Sequence, residues 1–264
     1  MMSDCHYFEG ITLLITHYNR SKSLERLLKS FKDQGYVFED IVVSDDGSKA
    51  EHISYLNTLQ KEYNFNLVTT PVNRGLGHNI NKGQDAVKTP FTLYVQEDFI
   101  PKPLFLEKLK LSLSYMQERP ELDMVRYYAY FKYPSLNSYK EGFSEMVFNG
   151  WNFLGSYRKF YYYSDHPHLR RSNFLHKFGR YAEGVKGDVT EYKMMMSFLQ
   201  HKGKALYFDE FDSLFDQVNT SVEPSTMKRN FWRENGSWII STLRHVYRHA
   251  RFNFDLHFNT DINN

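Results

Sequence analysis

The ten residues ITLLITHYNR, at positions 11–20, join an apolar run to a polar tail and decide the fold. Residues 11–15 are all β-branched residues or leucine, which is typical of a strand buried on both faces of a parallel sheet. Apolar residues then recur at helical spacing over residues 24–31, with Ser21 placed to cap the start and Gly35 to end the helix. The stretch therefore predicts a buried strand that runs directly into a helix.

The same alternation continues along the chain. Strands are predicted at residues 41–43, 65–70 and 91–95, and helices at residues 53–63 and 78–87. Such a series predicts an α/β fold, with an open, mostly parallel, Rossmann-like sheet flanked by helices. Ligands of such sheets bind in the crevice beyond the carboxyl ends of the strands. Further on we predict a helix at 104–116, a strand at 124–130, loops and short strands to about 185, a helix at 189–201 and a strand at 205–208.

The composition predicts a single domain without nucleic acid as a partner. The chain has 264 residues, 41% of them hydrophobic and 17% aromatic, which is enough for one substantial core. Its 33 Lys and Arg nearly balance 31 Asp and Glu, giving a formal charge of +2. Cys5 is the only cysteine, which excludes an intramolecular disulfide and favours a reducing compartment. The apolar run at 11–16 is too short to span a bilayer, so we expect a cytoplasmic protein.

Polar and acidic side chains follow three of the predicted strands. Residues 16–20 follow the first strand, Asp45 and Asp46 the second, and Gln96, Glu97 and Asp98 the fourth. Asn19 and Ser21 could cap the next helix, and one aspartate could complete an Asx turn. The other aspartate is surplus to a turn and could bind a nucleotide base or ribose. Carboxylates after the fourth strand are ligands that a divalent cation shares with phosphates, with a solvated loop as the alternative.

Four motifs stand in order at these strand ends: TxYNR at 16–20, VSDDGS at 43–48, NRGLGxNxNxG at 73–83 and QEDFIP at 96–101. Each is weak alone, but together they resemble family 2 of the glycosyltransferases, which use nucleotide sugars and have a GT-A type of α/β fold. The resemblance implies that Thr16, Tyr18 and Asp46 hold the base and ribose. The nucleotide-binding set that we predict is completed by Asn19, Arg20, Asp45, Arg74, Gly75, Gly77, Gln96 and Glu97. For Arg74 a surface salt bridge is the alternative.

The acidic segment departs from the family's usual pattern of aspartate, any residue, aspartate. Gln96 replaces the first aspartate, Glu97 occupies the middle position and Asp98 keeps the last one. The resemblance implies that Asp98 binds the Mn²⁺ or Mg²⁺ that bridges the donor phosphates, with Glu97 behind it. Asp216 occupies a position where the family often has a metal-binding histidine, and we expect it to compensate as a second ligand.

The family places an acidic catalytic base just before a helix, where this chain has GDVTEY at 187–192. The alignment favours Glu191, and Asp188 stays open because Tyr192 interrupts the usual acidic pair. Stabilisation of the helix N-terminus is the alternative role for both acids. On the acceptor side the resemblance points to His168, Arg170 and Arg171, with Trp151 as a candidate for stacking on a sugar. A solvated surface is the alternative for the two arginines.

Residues 225–251 contain six Lys or Arg, interleaved with large apolar residues, and one acid, Glu234. They form a predicted helix that either packs back on the domain or touches an anionic membrane, where a lipid-linked acceptor would wait. We therefore expect a nucleotide-sugar-binding half at about 8–125, an acceptor-binding half at about 126–224 and a C-terminal helical extension at about 225–264.

The predicted activity is transfer of a hexosyl or related sugar, with inversion, from a nucleoside-diphosphate donor to an acceptor hydroxyl. Bacterial surface polysaccharide assembly, with a saccharide or lipid-linked saccharide as acceptor, is an expectation from the family alone. A noncatalytic nucleotide-sugar-binding module is the first alternative, because Gln96 and Tyr192 interrupt the family's acidic motifs. A nucleotidyltransferase is less favoured, since no Gly-rich phosphate loop follows the first strand, and the absence of GxGxxG there argues against a dinucleotide oxidoreductase.

Overall fold

The computed structural model describes residues 5–150, 157–220, 223 and 238–259, and within the last range only the backbone of residues 238–245. Trp151 lies outside the described residues, and so do residues 225–237 and 260–264 of the predicted C-terminal extension. In the described part of the chain, no helix is long and apolar enough to cross a membrane.

Strands and helices alternate through the first half, as predicted. The strands are β1 (His6–His17), β2 (Tyr36–Asp45), β3 (Asn66–Val68), β4 (Phe91–Gln96), β5 (Phe99–Pro101), β6 (Met124–Arg126), β7 (Leu136–Ser138), β8 (Phe143–Met146), β9 (His168–Arg171), β10 (Ala205–Phe208) and β11 (Phe215–Gln217). The helices are α1 (Ser21–Asp33), α2 (Ala50–Tyr63), α3 (Leu76–Asp85), α4 (Phe105–Glu118), α5 (Phe174–Phe178), α6 (Gly187–Gln200) and α7 (Trp238–Phe258), with a 3₁₀ turn at Tyr157–Phe160.

Nine of the described strands form one sheet in the order β3-β2-β1-β4-β9-β6-β10-β8-β7. β3, β2, β1 and β4 run parallel, which confirms the predicted βα series. β9 lies antiparallel between β4 and β6, so the sheet becomes mixed in the second half. A separate two-stranded ribbon pairs β5 with β11 antiparallel.

Both faces of the sheet are covered, as the apolar run of β1 requires. Leu13 and Ile15 belong to a core that contains residues of α1 and α4. Leu14, one residue out of phase, packs on the opposite face with Ile80 of α3 and Met194 of α6. All five side chains are fully buried.

The strand register aligns the carboxyl ends of β1, β2 and β4. His17 pairs with Asp45 across β1 and β2, and Thr16 pairs with Gln96 across β1 and β4. The polar residues that follow these strands therefore emerge side by side at one edge of the sheet.

Candidate functional site

A cleft of about 910 Å³ opens at this edge of the sheet. Thr16, Asp46 and Asp98, which are far apart in the chain, all line it. Both halves of the chain contribute walls, because residues of α6 and of the described end of α7 line the cleft together with residues that follow β1. A cleft of this size is within the range of small-molecule sites, and it is where a sheet of this topology binds ligands.

The turn after β1 places two of the predicted residues in the cleft. Thr16 and Tyr18 line it, and the Thr16 hydroxyl hydrogen-bonds the buried Tyr94 hydroxyl at 3.0 Å. Asn19 adopts a left-handed conformation with φ of 54°, and its side-chain oxygen accepts the amide of Lys49 at 2.8 Å. Asn19 therefore joins the turns after β1 and β2 and does not line the cleft, contrary to the predicted nucleotide contact.

The two adjacent aspartates at the end of β2 have different roles. Asp45 is fully buried, where its carboxylate accepts hydrogen bonds from His17 Nδ1 at 2.8 Å and from the Ser48 amide at 3.0 Å. Burial alone would raise its pKa, but the His17 and Ser48 hydrogen bonds outweigh that effect and lower the pKa of Asp45 to about 2. Asp45 is therefore the aspartate that completes the turn, and it does not line the cleft in which we predicted a nucleotide contact.

Asp46 is the aspartate that faces the cleft. Its two carboxylate oxygens accept the backbone amides of Arg74, at 3.0 Å, and of Gly75, at 2.8 Å. These bonds hold the loop before α3 against the turn after β2. Gly75 lines the cleft with φ of +88°, a conformation that favours glycine.

Two predicted neighbours of the nucleotide have other roles. The Arg74 side chain is 54% exposed and its Nη2 lies 3.3 Å from the Glu183 carboxylate, so the surface salt bridge is what forms. Gly77 lies outside the cleft lining, and a Cβ there would lie 2.2 Å from the Ala182 carbonyl oxygen. Glycine is required at this position by the close approach of α3 to the backbone at residue 182.

The acidic segment after β4 is buried against an arginine. Arg20 Nη1 lies 3.6 Å from Glu97 and 3.4 Å from Asp98, and its Nη2 donates to Asn219 at 2.7 Å. Burial, with a smaller contribution from the Asp98 charge, raises the pKa of Glu97 to about 8, although Arg20 opposes the shift. Arg20, Glu97 and Asp98 all line the cleft.

Asp98 has a coordinating oxygen to spare. Its Oδ2 accepts the Gln217 amide at 3.0 Å, whereas its buried Oδ1 has no hydrogen-bond partner among the described residues. A buried carboxylate oxygen without a partner is costly unless a ligand satisfies it, and it is a suitable donor for a hard cation. The described residues contain no group of three or more His, Cys, Asp or Glu side chains that could hold a metal ion by themselves. An ion here would complete its shell with phosphate and water.

Asp216 does not share this site, which corrects the predicted second ligand. It is 61% exposed and pairs with Lys102 at 2.9 Å. Asp216 lies opposite Ile100 in the β5–β11 ribbon, and alternate residues of a strand face opposite ways. The next residue, Gln217, is the one that faces the cleft and bonds Asp98.

Both candidate bases, Asp188 and Glu191, line the cleft from the first turn and a half of α6. Asp188 is exposed, whereas Glu191 is partly buried and its Oε1 accepts the Asp165 amide at 3.4 Å. Burial, followed by the charge of the Asp165 carboxylate and a hydrogen bond between the two carboxyl groups, raises the pKa of Glu191 well above its usual range. A carboxyl group of this kind is a strong proton acceptor once it is ionised.

The predicted acceptor-side residues of the second half lie away from the cleft, because they form β9 inside the sheet. His168 and Arg170 are fully buried, and Arg170 donates to the Tyr181 hydroxyl at 2.6 Å and to Gln84 at 2.7 Å. Arg171 donates to the carbonyl oxygens of Met116 and Arg119 and so caps the end of α4. The two arginines are therefore neither acceptor contacts nor a solvated surface. Trp151 lies outside the described residues.

Residues that the motifs did not single out form the wall of the cleft in the second half of the chain. They include the buried Arg126 at the end of β6, Asp165 and His166 before β9, and Tyr247, Arg248, Arg251 and Phe252 of α7. Aromatic side chains complete this wall, namely Tyr130, Phe131, Tyr133, Tyr161, Tyr192 and Tyr207. The polar pair at 165–166 follows three tyrosines, and this contrast was the available sequence signal.

Comparisons with solved structures agree with the predicted fold. Staphylococcus aureus TarS 1–349 in complex with UDP-GlcNAc superposes with a TM-score of 0.62 at 16% identity, over 96% of this chain and 74% of that one. A mannosyltransferase from Pyrobaculum calidifontis, in complex with GDP-Man and Mn²⁺, gives 0.57 at 15% identity, over 94% of this chain and 64% of that one. These likenesses confirm the GT-A type of α/β fold.

Sequence comparisons name the family. The chain is 26% identical over 98 residues to the poly-beta-1,6-N-acetyl-D-glucosamine synthase of Staphylococcus epidermidis, covering 37% of this chain and 24% of the synthase. It is 20% identical over 251 residues to the teichoic acid poly(glycerol phosphate) polymerase of that species, covering 81% of this chain and 33% of the polymerase. The chain thus spans only a quarter to a third of these relatives. Residues 12–181 match the model of glycosyl transferase family 2, and the chain belongs to that family.

Proposed function

We propose that this protein transfers a sugar from a nucleoside-diphosphate donor to the hydroxyl of an acceptor, with inversion at the anomeric carbon. One observation carries the proposal: Thr16, Asp46, Asp98 and Glu191 line a single cleft although 175 positions separate the first from the last (191 − 16). The four are the residues that the resemblance assigns to the base and ribose, the diphosphate and the proton transfer.

The donor half of the cleft suits a nucleotide. Thr16, Tyr18 and Gly75 form a wall where a base and ribose would lie, and Asp46 would accept a hydrogen bond from the base or a ribose hydroxyl. Arg20 brings a buried positive charge to the point where the diphosphate would reach Asp98. The TarS and mannosyltransferase complexes contain UDP-GlcNAc and GDP-Man, and by analogy we propose a nucleotide hexose as the donor here.

Asp98 Oδ1 is the atom that would hold Mn²⁺ or Mg²⁺, with most of the remaining shell from donor phosphate and water. When bound, the ion supplies positive charge opposite the departing diphosphate. Glu97 lies behind Asp98 and contacts Arg20, so it would tune this region without binding the ion.

Glu191 is the proposed general base. Its ionised carboxylate takes the proton of the acceptor hydroxyl while that oxygen bonds the anomeric carbon and the bond from that carbon to the diphosphate breaks. Asp188, exposed at the helix N-terminus, is the alternative base. The aromatic wall of the second half, including Tyr133 and Tyr207, would pack against a saccharide acceptor.

We also propose that α7 brings the site to an anionic membrane, which is the second of the two roles that the sequence left open for this helix. Tyr247, Phe254 and Phe258 are 63%, 61% and 75% exposed, and their spacing of 7 and 4 residues puts them on one face of the helix. An exposed aromatic face beside Arg251, which lines the cleft, is typical of a helix that lies at a membrane interface. A saccharide or lipid-linked acceptor in bacterial surface polysaccharide assembly would fit this arrangement.

Donor binding and turnover test the proposal together. The wild-type protein is screened by thermal shift against UDP, GDP and dTDP sugars with and without Mn²⁺, and nucleotide release is then measured with the selected donor. We expect Asp98→Ala to lose about 100-fold or more in turnover, because it removes charge stabilisation of the leaving group. Asp216→Ala is the matched control, an exposed acid on the ribbon beside Asp98, and should stay within about twofold because its surface ion pair contributes little.

The same experiment separates the alternatives. Selective donor binding without turnover, even with saccharide acceptors present, would favour the noncatalytic module. Equal loss in the two variants would contradict the assignment of Asp98. No stabilisation by any nucleotide sugar would refute the donor site.

A further inference from the structure

Asp165 lies where the two halves of the cleft meet, and no family motif covers it. Its Oδ2 accepts the Gln96 amide at 3.2 Å, which ties it to the end of β4 on the donor side. Its backbone amide donates to Glu191 Oε1 at 3.4 Å, which ties it to α6. Asp165 is 7% exposed and lines the cleft.

The neighbouring residue is anchored separately. Ser164 accepts a hydrogen bond from Arg126 Nη2 at 2.8 Å, and Arg126 also donates to the Tyr161 carbonyl at 2.8 Å. Arg126 makes no ion pair within 4 Å among the described residues. Its positive charge lowers the pKa of Glu191 and so partly offsets the effect of burial. The backbone at 164–165 is thus fixed from β6, and the Asp165 side chain can be aimed between Gln96 and Glu191.

These contacts give a physical account of Gln96, where the family's usual motif has aspartate. An amide at position 96 donates a hydrogen bond to Asp165, whereas a carboxylate there would place a third negative charge beside Asp165 and Glu191. Like charges at such distances cannot all remain ionised at neutral pH.

We propose that Asp165 is a positioning residue of the transfer reaction: its backbone amide orients Glu191, its side chain sets the charge beside that carboxyl group, and the Gln96 amide orients Asp165 itself. The inference rests on the proposed function, because it assigns Asp165 a task only if Glu191 is the base. Gln96 then serves the end of the site where the acceptor hydroxyl would be activated, and Asp98 remains the proposed metal ligand of this segment.

The charged groups that face Asp165 set the direction of its effect. They are Glu191 of α6, Asp98 after β4 and, through Glu191, Arg126 of β6. The phenols that face it are Tyr94, Tyr130, Tyr163 and Tyr181, whose pKa values burial raises, so they stay neutral. Burial raises the pKa of Asp165 as well. Once Asp165 is ionised, its charge opposes ionisation of Glu191, and removing that charge lets Glu191 ionise at lower pH.

The pH dependence of kcat/KM is the first test. A base must be ionised to act, so the profile rises with pH through the pKa of Glu191. In Asp165→Asn, which keeps the shape and can still accept from Gln96, we expect this rise to move to lower pH by about 1 unit. The plateau kcat should fall by up to about tenfold, since a less basic carboxylate accepts the proton less well. The KM for the donor should change by less than about twofold.

Gln96→Glu is the converse variant, because it replaces the donated hydrogen bond with a charge. It should move the rise to higher pH. Asp216→Asn is the control, because Asp216 is an exposed acid that pairs with Lys102 and lies outside the cleft lining, and it should leave the position of the rise unchanged. Thermal melts of all variants check that each is folded.

A measurement that needs no turnover separates this inference from the proposed function. Carbon-13 NMR of labelled glutamate carboxyls should show the pKa of Glu191 lowered in Asp165→Asn, with Glu191→Gln assigning the resonance. An unshifted Glu191 resonance, or a pH profile that Asp165→Asn leaves in place, would overturn the inference even if the protein is an active transferase. Full activity of Glu191→Gln would instead refute the assigned base, and the inference with it. An inactive wild type that still shows the shifted resonance would refute the proposed function and the role of Asp165 in transfer, but it would leave the coupling between Asp165 and Glu191 established.

Discussion

Gly77→Ala should destabilise the protein although it adds a single methyl group to a helix. The new Cβ would lie 2.2 Å from the Ala182 carbonyl oxygen and 3.1 Å from Thr190 Oγ1, whereas an ordinary contact begins at 3.4 Å. The carbonyl must therefore retreat by about 1.2 Å (3.4 − 2.2), which breaks its hydrogen bond from the Thr190 hydroxyl at 2.6 Å.

The magnitude follows from three opposing effects. Overpacking costs about 1–3 kcal/mol and the lost hydrogen bond about 1 kcal/mol. Replacing glycine with alanine in a helix returns about 1 kcal/mol. The net loss of unfolding free energy is about 1–3 kcal/mol, so about 2 kcal/mol should lower Tm by about 4–8 °C in a domain of this size.

Thermal and urea denaturation measure this loss, and Gly187→Ala is the matched control. Gly187 also lies at the start of a helix, but a Cβ there meets Leu76 at an ordinary 3.5 Å. The control should be neutral or stabilising by up to about 1 kcal/mol, because it reduces the entropy of the unfolded chain. A Gly77→Ala protein as stable as wild type, with weakened donor binding instead, would refute the packing argument and restore Gly77 to the nucleotide site.

Two further predictions concern carboxylates with lowered pKa values. Asp45→Asn should lose about 1–3 kcal/mol at pH 7, because it disturbs charge-assisted bonds to His17 and Ser48. The folded pKa of about 2 lies below the unfolded value of 3.8, so this contribution is present above about pH 4 and disappears toward pH 2. A difference that persists at pH 2 would contradict the mechanism. Glu223→Gln should cost about 1 kcal/mol, because the Glu223 carboxylate accepts the Lys22 and Ser23 amides at 3.0 and 2.8 Å and caps α1 from a distance. Burial tends to raise the pKa of Glu223, but the hydrogen bonds from Ser23 and Lys22 lower it below the usual 4.5. The loss of unfolding free energy in Glu223→Gln should therefore be complete above about that pH and should become smaller below it. Urea unfolding at several pH values measures this dependence.

The donor half could be predicted because its signals are local. The apolar run of residues 11–15 specified β1, and the identical logic specified β2 and β4, so the topology rules placed their polar tails at one edge. The sequence could say that one of Asp45 and Asp46 is surplus to the turn. It could not say which of the two is surplus, because that depends on how β2 is aligned with β1. In the structure Asp45 lies opposite His17, and Asp46 is the next residue.

The N-terminal cap of α1 could not be predicted from the sequence for a different reason. Ser21 was predicted to cap the helix, yet no side-chain cap bond forms from the residue that precedes α1. The amides of Lys22 and Ser23 are satisfied by Glu223, 200 positions from Ser23. A partner at that separation carries no local pattern, so only the folded chain can reveal it.

The arginines of the predicted acceptor-binding half were misplaced because two adjacent charged residues suggested an exposed segment, whereas the strand that contains them lies inside the sheet. Arg170 and Arg171 were expected at the acceptor side or on a solvated surface, but β9 enters the sheet antiparallel between β4 and β6, where Arg170 is fully buried and Arg171 is partly buried. Arg170 is tolerated there because its guanidinium donates to Tyr181 and Gln84 and packs 5.0 Å from the Phe174 ring centre.

The position of β9 between β4 and β6 also explains why residues 164–166, and not the two arginines, line the cleft. The strand starts at His168, so the chain that leads into it must cross the carboxyl end of β4, and residues 164–166 are carried directly over Gln96. A strand that runs antiparallel to β4 enters the sheet at the edge where β4 ends. The approach to β9, rather than β9 itself, is therefore the part of this segment that can touch a ligand, and Asp165 occupies it.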